Sequence, residues 1–326
     1  MAFRFKLEEP IQKGFRRIGC EQIDRALGEL SAGLNLPAEI HEARKCLKRV
    51  RALLRLGREG LGTEIFRIEN RRFSDIAGRL APARDDHVLC ETLLKLEAAE
   101  SDDRTRRALS RVRVLFLAGR GENTRTDTDS SAVAEVMDAL ADARDRFGTL
   151  SFKPATTDTL VSGLVHNYRR ARKSMAGAYE TNEDEAFHTW RKGVQAHWRH
   201  TSLLSRLWPD LMDVRVAAAR ELSQILGDDH DLSILRDRIY GVVEDAPLSP
   251  DETEAVLTLI GARQDGLRRI AKPRGEMLLA ASPKAHGRWI AALWTAARER
   301  AKCDKTVQDL DLDDANSEKK RAFSRT

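Results

Sequence analysis

Apolar residues recur along most of this chain with a period near 3.6, in runs separated by Pro, Gly or Asx-rich punctuation. The spacing predicts helices near 10–32, 37–58, 63–81, 84–99, 103–118, 129–147, 156–179, 184–206, 210–227, 230–245, 250–271 and 276–302. Strand-like alternation is almost absent, and Phe3 to Leu7 is the one candidate. The predicted fold class is therefore all-α. The segment GRGENTRTDTDSS, residues 119–131, is polar and nearly free of large apolar side chains, so it reads as a linker between halves at 10–118 and 156–302. Beyond Cys303 the chain is highly charged and loses its periodic apolar face, and 303–326 is expected to be frayed or disordered.

The halves resemble each other. GFRRIG at Gly14 compares with NYRRAR at Asn167, IHEARK at Ile40 with FHTWRK at Phe187, and LAPARDDHVL at Leu80 with LGDDHDLSIL at Leu226. The last two pairs are separated by nearly the same length of chain, and the first by a few residues more. A duplicated unit of about four helices accounts for this, giving two antiparallel four-helix bundles related by pseudo-twofold symmetry.

One helix in each half carries unusual charge. His41, Arg44, Lys48, Arg51 and Arg55 fall within about 80° of one another on a helix turning about 100° per residue, flanked by Lys45 and Arg49. Ile40, Ala43, Leu47, Val50 and Leu54 occupy the adjoining arc, so one face docks in a bundle while the next presents cations. Like charges at these spacings repel by a few tenths of a kcal/mol per pair, roughly, and an external anion would relieve that. The second copy has His188, Arg191, Lys192 and Arg199, with Phe187, Trp190, Val194 and Thr201 on the docking side. It is less cationic, because Gln195 and Trp198 stand where Lys48 and Arg51 stand in the first. The helix opening each half adds Arg16 and Arg17, then Arg169, Arg170, Arg172 and Lys173. Facing each other across a pseudo-twofold axis, these groups would line one shared channel. Arginine forks grip phosphate oxygens in pairs, and a row of them fits a long flexible polyphosphate.

Composition narrows the class without choosing it. The 56 basic residues nearly balance 51 acidic ones, so the net charge of +5 matters less than its focusing on one stripe. Cys20, Cys46, Cys90 and Cys303 are widely spaced with no CxxC pair and read as small buried hydrophobes in a reducing compartment. No stretch approaches the roughly 18 apolar residues that span a membrane, and MAFRFKLEEP lacks the apolar core of a signal peptide, so the expected location is the cytoplasm.

Taken together, IHEARKCLKRVRALLRL, FHTWRKGVQAHW and the LAPARDDHVL and LGDDHDLSIL elements resemble the CHAD family, the conserved histidine α-helical domain, over most of residues 1–302. The resemblance implies two four-helix bundles around a basic central cavity that binds inorganic polyphosphate, with no catalysis required. It places the family's histidines on His41 and His188, and its basic positions on Arg44, Lys48, Arg51, Arg55 and Arg191. Gln195 departs from the lysine usual there. Targeting to polyphosphate granules would follow from such binding.

Other readings remain open. A solvated basic face, or arginines paired with neighbouring helices, is the bland alternative. RNA or DNA binding needs only a basic groove, but the comb lacks interleaved exposed aromatics for base stacking. An acidic partner protein in the channel is a third reading, and polyphosphate hydrolysis a weaker fourth. Asp85, Asp86 and His87, or Asp228, Asp229, His230 and Asp231, read as helix caps or interhelical ion pairs rather than metal ligands. No P-loop or GxSxG elbow is present. The expectation is a binding protein with no catalytic residues, metal or cofactor.

Overall fold

The computed structural model describes residues 3–32, 36–80, 82–118, 125–242 and 248–323, the side chains of 37, 82–87, 118, 125–131, 242, 305 and 307–323 aside. Among the described residues it is all helical, with no strand. The helices are α1 (Ile11–Leu30), α2 (Leu36–Leu56), α3 (Arg58–Leu61), α4 (Thr63–Arg79), α5 (Pro82–Ala99), α6 (Asp103–Ala118), α7 (Arg125–Thr149), α8 (Thr157–Thr181), α9 (Asp184–Leu203), α10 (Pro209–Val242), α11 (Pro250–Leu278) and α12 (Pro283–Phe323), with a 3₁₀ turn at Ser205–Leu207.

Local chemistry explains several boundaries. The Thr156 hydroxyl accepts from the Thr159 amide to open α8, and Asn182, at φ 56°, closes it in the left-handed region that an Asx side chain tolerates. A Ser249–Glu252 capping box followed by Pro250 starts α11. Residues 119–124 of the expected linker lie outside the described residues, and α7 begins at Arg125. α12 continues through the charged tail to Phe323.

Four expectations are corrected. Phe3 to Leu7 is not a strand: the Phe5 amide donates to the Leu203 carbonyl at 2.9 Å, and the Phe5 ring meets Trp294 edge-on. α10 does not break at LGDDHDLSIL. In the first half the matching element holds Pro82, where α5 starts afresh; the second half has only Gly227, which costs about 1 kcal/mol in a helix interior, less than burying Leu226, Leu232 and Leu235 returns. α11 likewise runs on through Pro273 to Leu278. Of the cysteines, Cys46 and Cys90 are buried as expected, but Cys20 is half-buried and Cys303 exposed.

The stripe predicted on α2 is fully inside: Ala43, Leu47, Val50 and Leu54 are buried, as are Phe187, Trp190 and Val194 of α9. Each large apolar side chain so buried contributes roughly 1.5–3 kcal/mol. Three cores result. The first joins α1, α2, α4 and α7, where Phe15 stacks between Phe147 and Phe152, and takes in Ile290 and Trp294 of α12. The second lies among α8, α9, α10 and α11 around Trp190. The third packs the α5–α6 hairpin on the far ends of α10 and α11. Cores therefore do not follow the sequence halves. No described helix is long and apolar enough to cross a membrane.

Candidate functional site

Two helices, α2 and α9, pack on each other, and α8 crosses the end of α2. The crossing is close: a Cβ added at Gly163 would lie 2.0 Å from the Leu56 carbonyl oxygen, so only glycine permits it. Asn167, one turn on, donates to the carbonyls of Arg55 and Gly163. Deeper in the seam the buried His200 ring donates to Ala52 O at 2.9 Å and ties α9 to α2. Burial pushes His200 down to about 3 despite that bond, and the charges of Arg55 and Arg199 add to the effect.

Around this tie the structure gathers cations. Burial, then the like charges of Arg49, Arg55 and Arg191, push Arg199 down to about 10. Arg55 is pushed to about 10 as well, by burial and by Arg51 and Arg170. Arg199 donates to its own helix at Gln195 O and lies over the Trp198 ring at 4.9 Å. Arg49 reaches Gln22 of α1 at 3.3 Å. A guanidinium falling below its usual range is uncommon, since desolvation and neighbouring cations must together outweigh every compensating contact.

The α9 end of this seam carries a paired histidine. His188 and His230 of α10 stack with centroids 3.8 Å apart. Burial, then the charges of Lys192 and Arg191, push His188 down to about 4 against the opposing pull of Glu185. Burial, His188 itself, Arg191 and Lys192 push His230 to about 3. Arg191 lies against α10 where Gly227 leaves room, its Nη2 3.4 Å from where a Cβ would be.

The remaining predicted residues divide. Arg44 donates to Ala77 O and Arg51 to Asn70 Oδ1, both toward α4, and His41 and Lys48 are half-buried on the same face of α2. Arg169, Arg170 and Lys173 are all exposed on α8, and of these Arg170 acts on Arg55. Several others are engaged elsewhere. Arg16 holds the end of α7 through Leu150 O and Thr149 O, and Arg17 grips Glu9 and Glu21. Arg172 donates to Ala281 O and Lys45 pairs with Glu42, whereas Lys192 pairs with Glu185 beside His188.

Asp228 and Asp229 of the repeated element, and Asp184 of α9, are structural partners. Arg268 of α11 bonds Asp229 at 2.9 Å and also Asp184, which Arg236 shares, and it lies 4.1 Å from the Phe187 ring centre. Burial opposes the Asp184 carboxylate, yet the Arg268 hydrogen bond and the Arg236 charge outweigh it and hold it below the usual range. Asp228 pairs with Lys95 at 3.6 Å. The side chains of Asp85, Asp86 and His87 lie outside the described residues.

Sequence reasoning passed over three neighbours of the seam. His230 was visible as a member of a repeated element. Arg58 follows Arg55 at the same i,i+3 spacing but beyond Gly57, where the helix ends. His166 sits one residue before the NYRRAR element and carried no signal of its own.

Fold and site together define an all-helical protein with a half-buried arginine seam between two histidine-bearing helices. The family model described as CHAD domain matches residues 18–240, and the chain belongs to the CHAD domain family. α11 and α12 lie beyond the matched span. Among solved structures, PptA from Streptomyces chartreusis is similar at a TM-score of 0.57 and 15% identity, over 82% of this chain and 100% of that one, a likeness of fold. No curated protein matches the sequence significantly.

Proposed function

We propose that this protein binds inorganic polyphosphate along the α2–α9 seam without chemically altering it. The observation that carries the reading is Arg199, held with Arg49, Arg55 and Arg191 in a half-buried place where their charges oppose one another. Repulsion of this kind is a standing cost to the empty protein, and a bound polyanion converts it into attraction. The shared membership of Arg55 links the seam to Arg170 on α8, so the cations form a path rather than a single-phosphate pocket. His41, Arg44, Lys48 and Arg51 extend it along α2, and His188 and Arg191 along α9. Family membership and the resemblance of the His41 and His188 helices to the polyphosphate-binding elements of that family support the same ligand.

The reading includes the duplication. α2 packs on α9 and α5 on α10, each being a pair that the sequence repeat makes equivalent; α6 packs on α11, and α7 lies on α1 as α12 lies on α8. A pseudo-twofold axis through the α2–α9 contact accounts for all of these, with α10 equivalent to α4 and α5 fused. A cytoplasmic protein gathered on polyphosphate granules is the cellular setting that fits.

RNA and DNA are the rival ligands. Trp190 is wholly buried and Trp198 is covered by Arg199, so these two rings are not offered to bases. Competition among long-chain polyphosphate, RNA and DNA, repeated at several salt concentrations, tests the assignment. Polyphosphate should bind most tightly; equal affinity for RNA would overturn it. Release of orthophosphate from polyphosphate by the purified protein would replace binding with hydrolysis.

A further inference from the structure

At the α8 end of the path the cations do not stop at Arg55. Arg58, on the short helix following α2, directs Nη1 to Nε2 of His166 on α8 at 3.2 Å, and its guanidinium lies 5.4 Å from the centre of the Phe66 ring. Arg170, the neighbour of Arg55, also acts on His166. The close crossing at Gly163 fixes this meeting, because it brings α8 against the last turn of α2 just before Arg58.

A guanidinium hydrogen-bonded to an imidazole is an incomplete arrangement. The imidazole accepts only while Nε2 is unprotonated, and arginine, always a donor, gains no counter-charge from it. Four charged groups act on His166: Arg58, Arg170 and Arg169 against protonation, and Glu59 in favour. Burial and the arginines prevail, and the ring is held below its usual range. A phosphate oxygen placed between Arg58 and His166 would oppose these arginine effects with a negative charge of its own. Once the imidazole is protonated its Nε2 is a donor like the guanidinium, and a shared anionic acceptor satisfies both.

We propose that Arg58 and His166 form a further phosphate-binding station that continues the polyphosphate path beyond Arg55 and takes up a proton as the chain arrives. This rests on the polyphosphate reading of the seam. The ligand class is the phosphoanhydride chain, and the added property is regulation: affinity for a chain long enough to reach the station rises as the solution becomes mildly acidic.

The test uses the full chain and long-chain polyphosphate, with affinity measured by titration calorimetry in buffers of different ionisation heat. R58Q and H166Q should each weaken binding about tenfold, as loss of a charge-assisted contact does, while R58K should recover most of the loss. The slope of log affinity against log salt should become shallower by about 0.7 to 1 in R58Q, the change expected for one phosphate contact. Proton uptake at neutral pH should fall in H166Q relative to the wild type. Wild-type affinity in both R58Q and H166Q, or undiminished proton uptake in H166Q, would overturn the station. R199Q separates the two ideas: if it weakens binding while R58Q does not, only the station fails. If the wild type does not bind the polymer at all, the reading of the seam fails with it.

Discussion

His188 and His230 lie face to face across α9 and α10, their planes 23° apart and their centroids 3.8 Å apart, beside Arg191 and Lys192. Two imidazoles so placed cannot both ionise cheaply, and the nearby cations make even one proton unwelcome. Both rings are therefore neutral at neutral pH.

A sign for acid stability follows. The folded values, about 4 for His188 and about 3 for His230, lie below the ordinary 6.5, so the unfolded chain binds more protons in between. Stability present above pH 6.5 is lost progressively as the pH falls toward 4 and below. The buried His200, at about 3, and His286, at about 4, act in the same direction. Thermal melts without polyanion should show Tm falling from pH 7 to pH 4, and H230Q should soften the slope. A flat profile through that window would contradict the buried neutral state.

Much of this was legible in the sequence, and the gaps have physical causes. The apolar arc of Ala43, Leu47, Val50 and Leu54 could be read because period alone determines which side of a helix faces inward. Trp190 was readable for the same reason. Arg16 and Arg55 looked alike as sequence, since what separates them is a partner far along the chain: Leu150 O occupies Arg16, whereas Arg55 meets Arg51 and Arg170. The continuity of α10 was missed because glycine and aspartate resemble punctuation until the groups that hold them, here Arg268 on Asp229, are known.

Arg199 should be a residue whose loss weakens binding without weakening the fold. Its replacement by glutamine removes a partly desolvated cation from among three others, at the expense of its bond to Gln195 O and its contact with Trp198. Buried charge is weak evidence for stability. Urea denaturation of R199Q without phosphate should give a stability within about 1 kcal/mol of the wild type, with polyphosphate affinity about tenfold lower. A destabilisation well beyond that would mean that Arg199 is structural.

Gly163→Ala should weaken both the fold and the binding. A methyl group 2.0 Å from Leu56 O forces α8 away from α2, and overpacking of this sort costs about 1–3 kcal/mol. Because Arg170 and His166 ride on α8, binding should fall together with stability. Denaturation midpoint and polyphosphate affinity measured on the same sample check the coupling. A G163A protein of wild-type stability would show that the helices do not cross so closely.

Gln195→Lys is the sharper probe of the α9 wall, because it adds charge instead of removing it. Gln195 is half-buried one turn before Arg199, at the place where the resemblance to the family leads one to expect lysine. A new ammonium there increases repulsion in the empty seam and adds a counter-charge for a bound chain. Q195K should therefore lower the denaturation midpoint slightly while raising polyphosphate affinity a few-fold. It should also steepen the salt dependence by roughly one phosphate contact. The two effects share one cause, so they must appear together: higher affinity with no change in salt slope would mean that the lysine acts outside the seam. Unchanged affinity would leave the α2 wall and its Arg55 junction as the dominant part of the site.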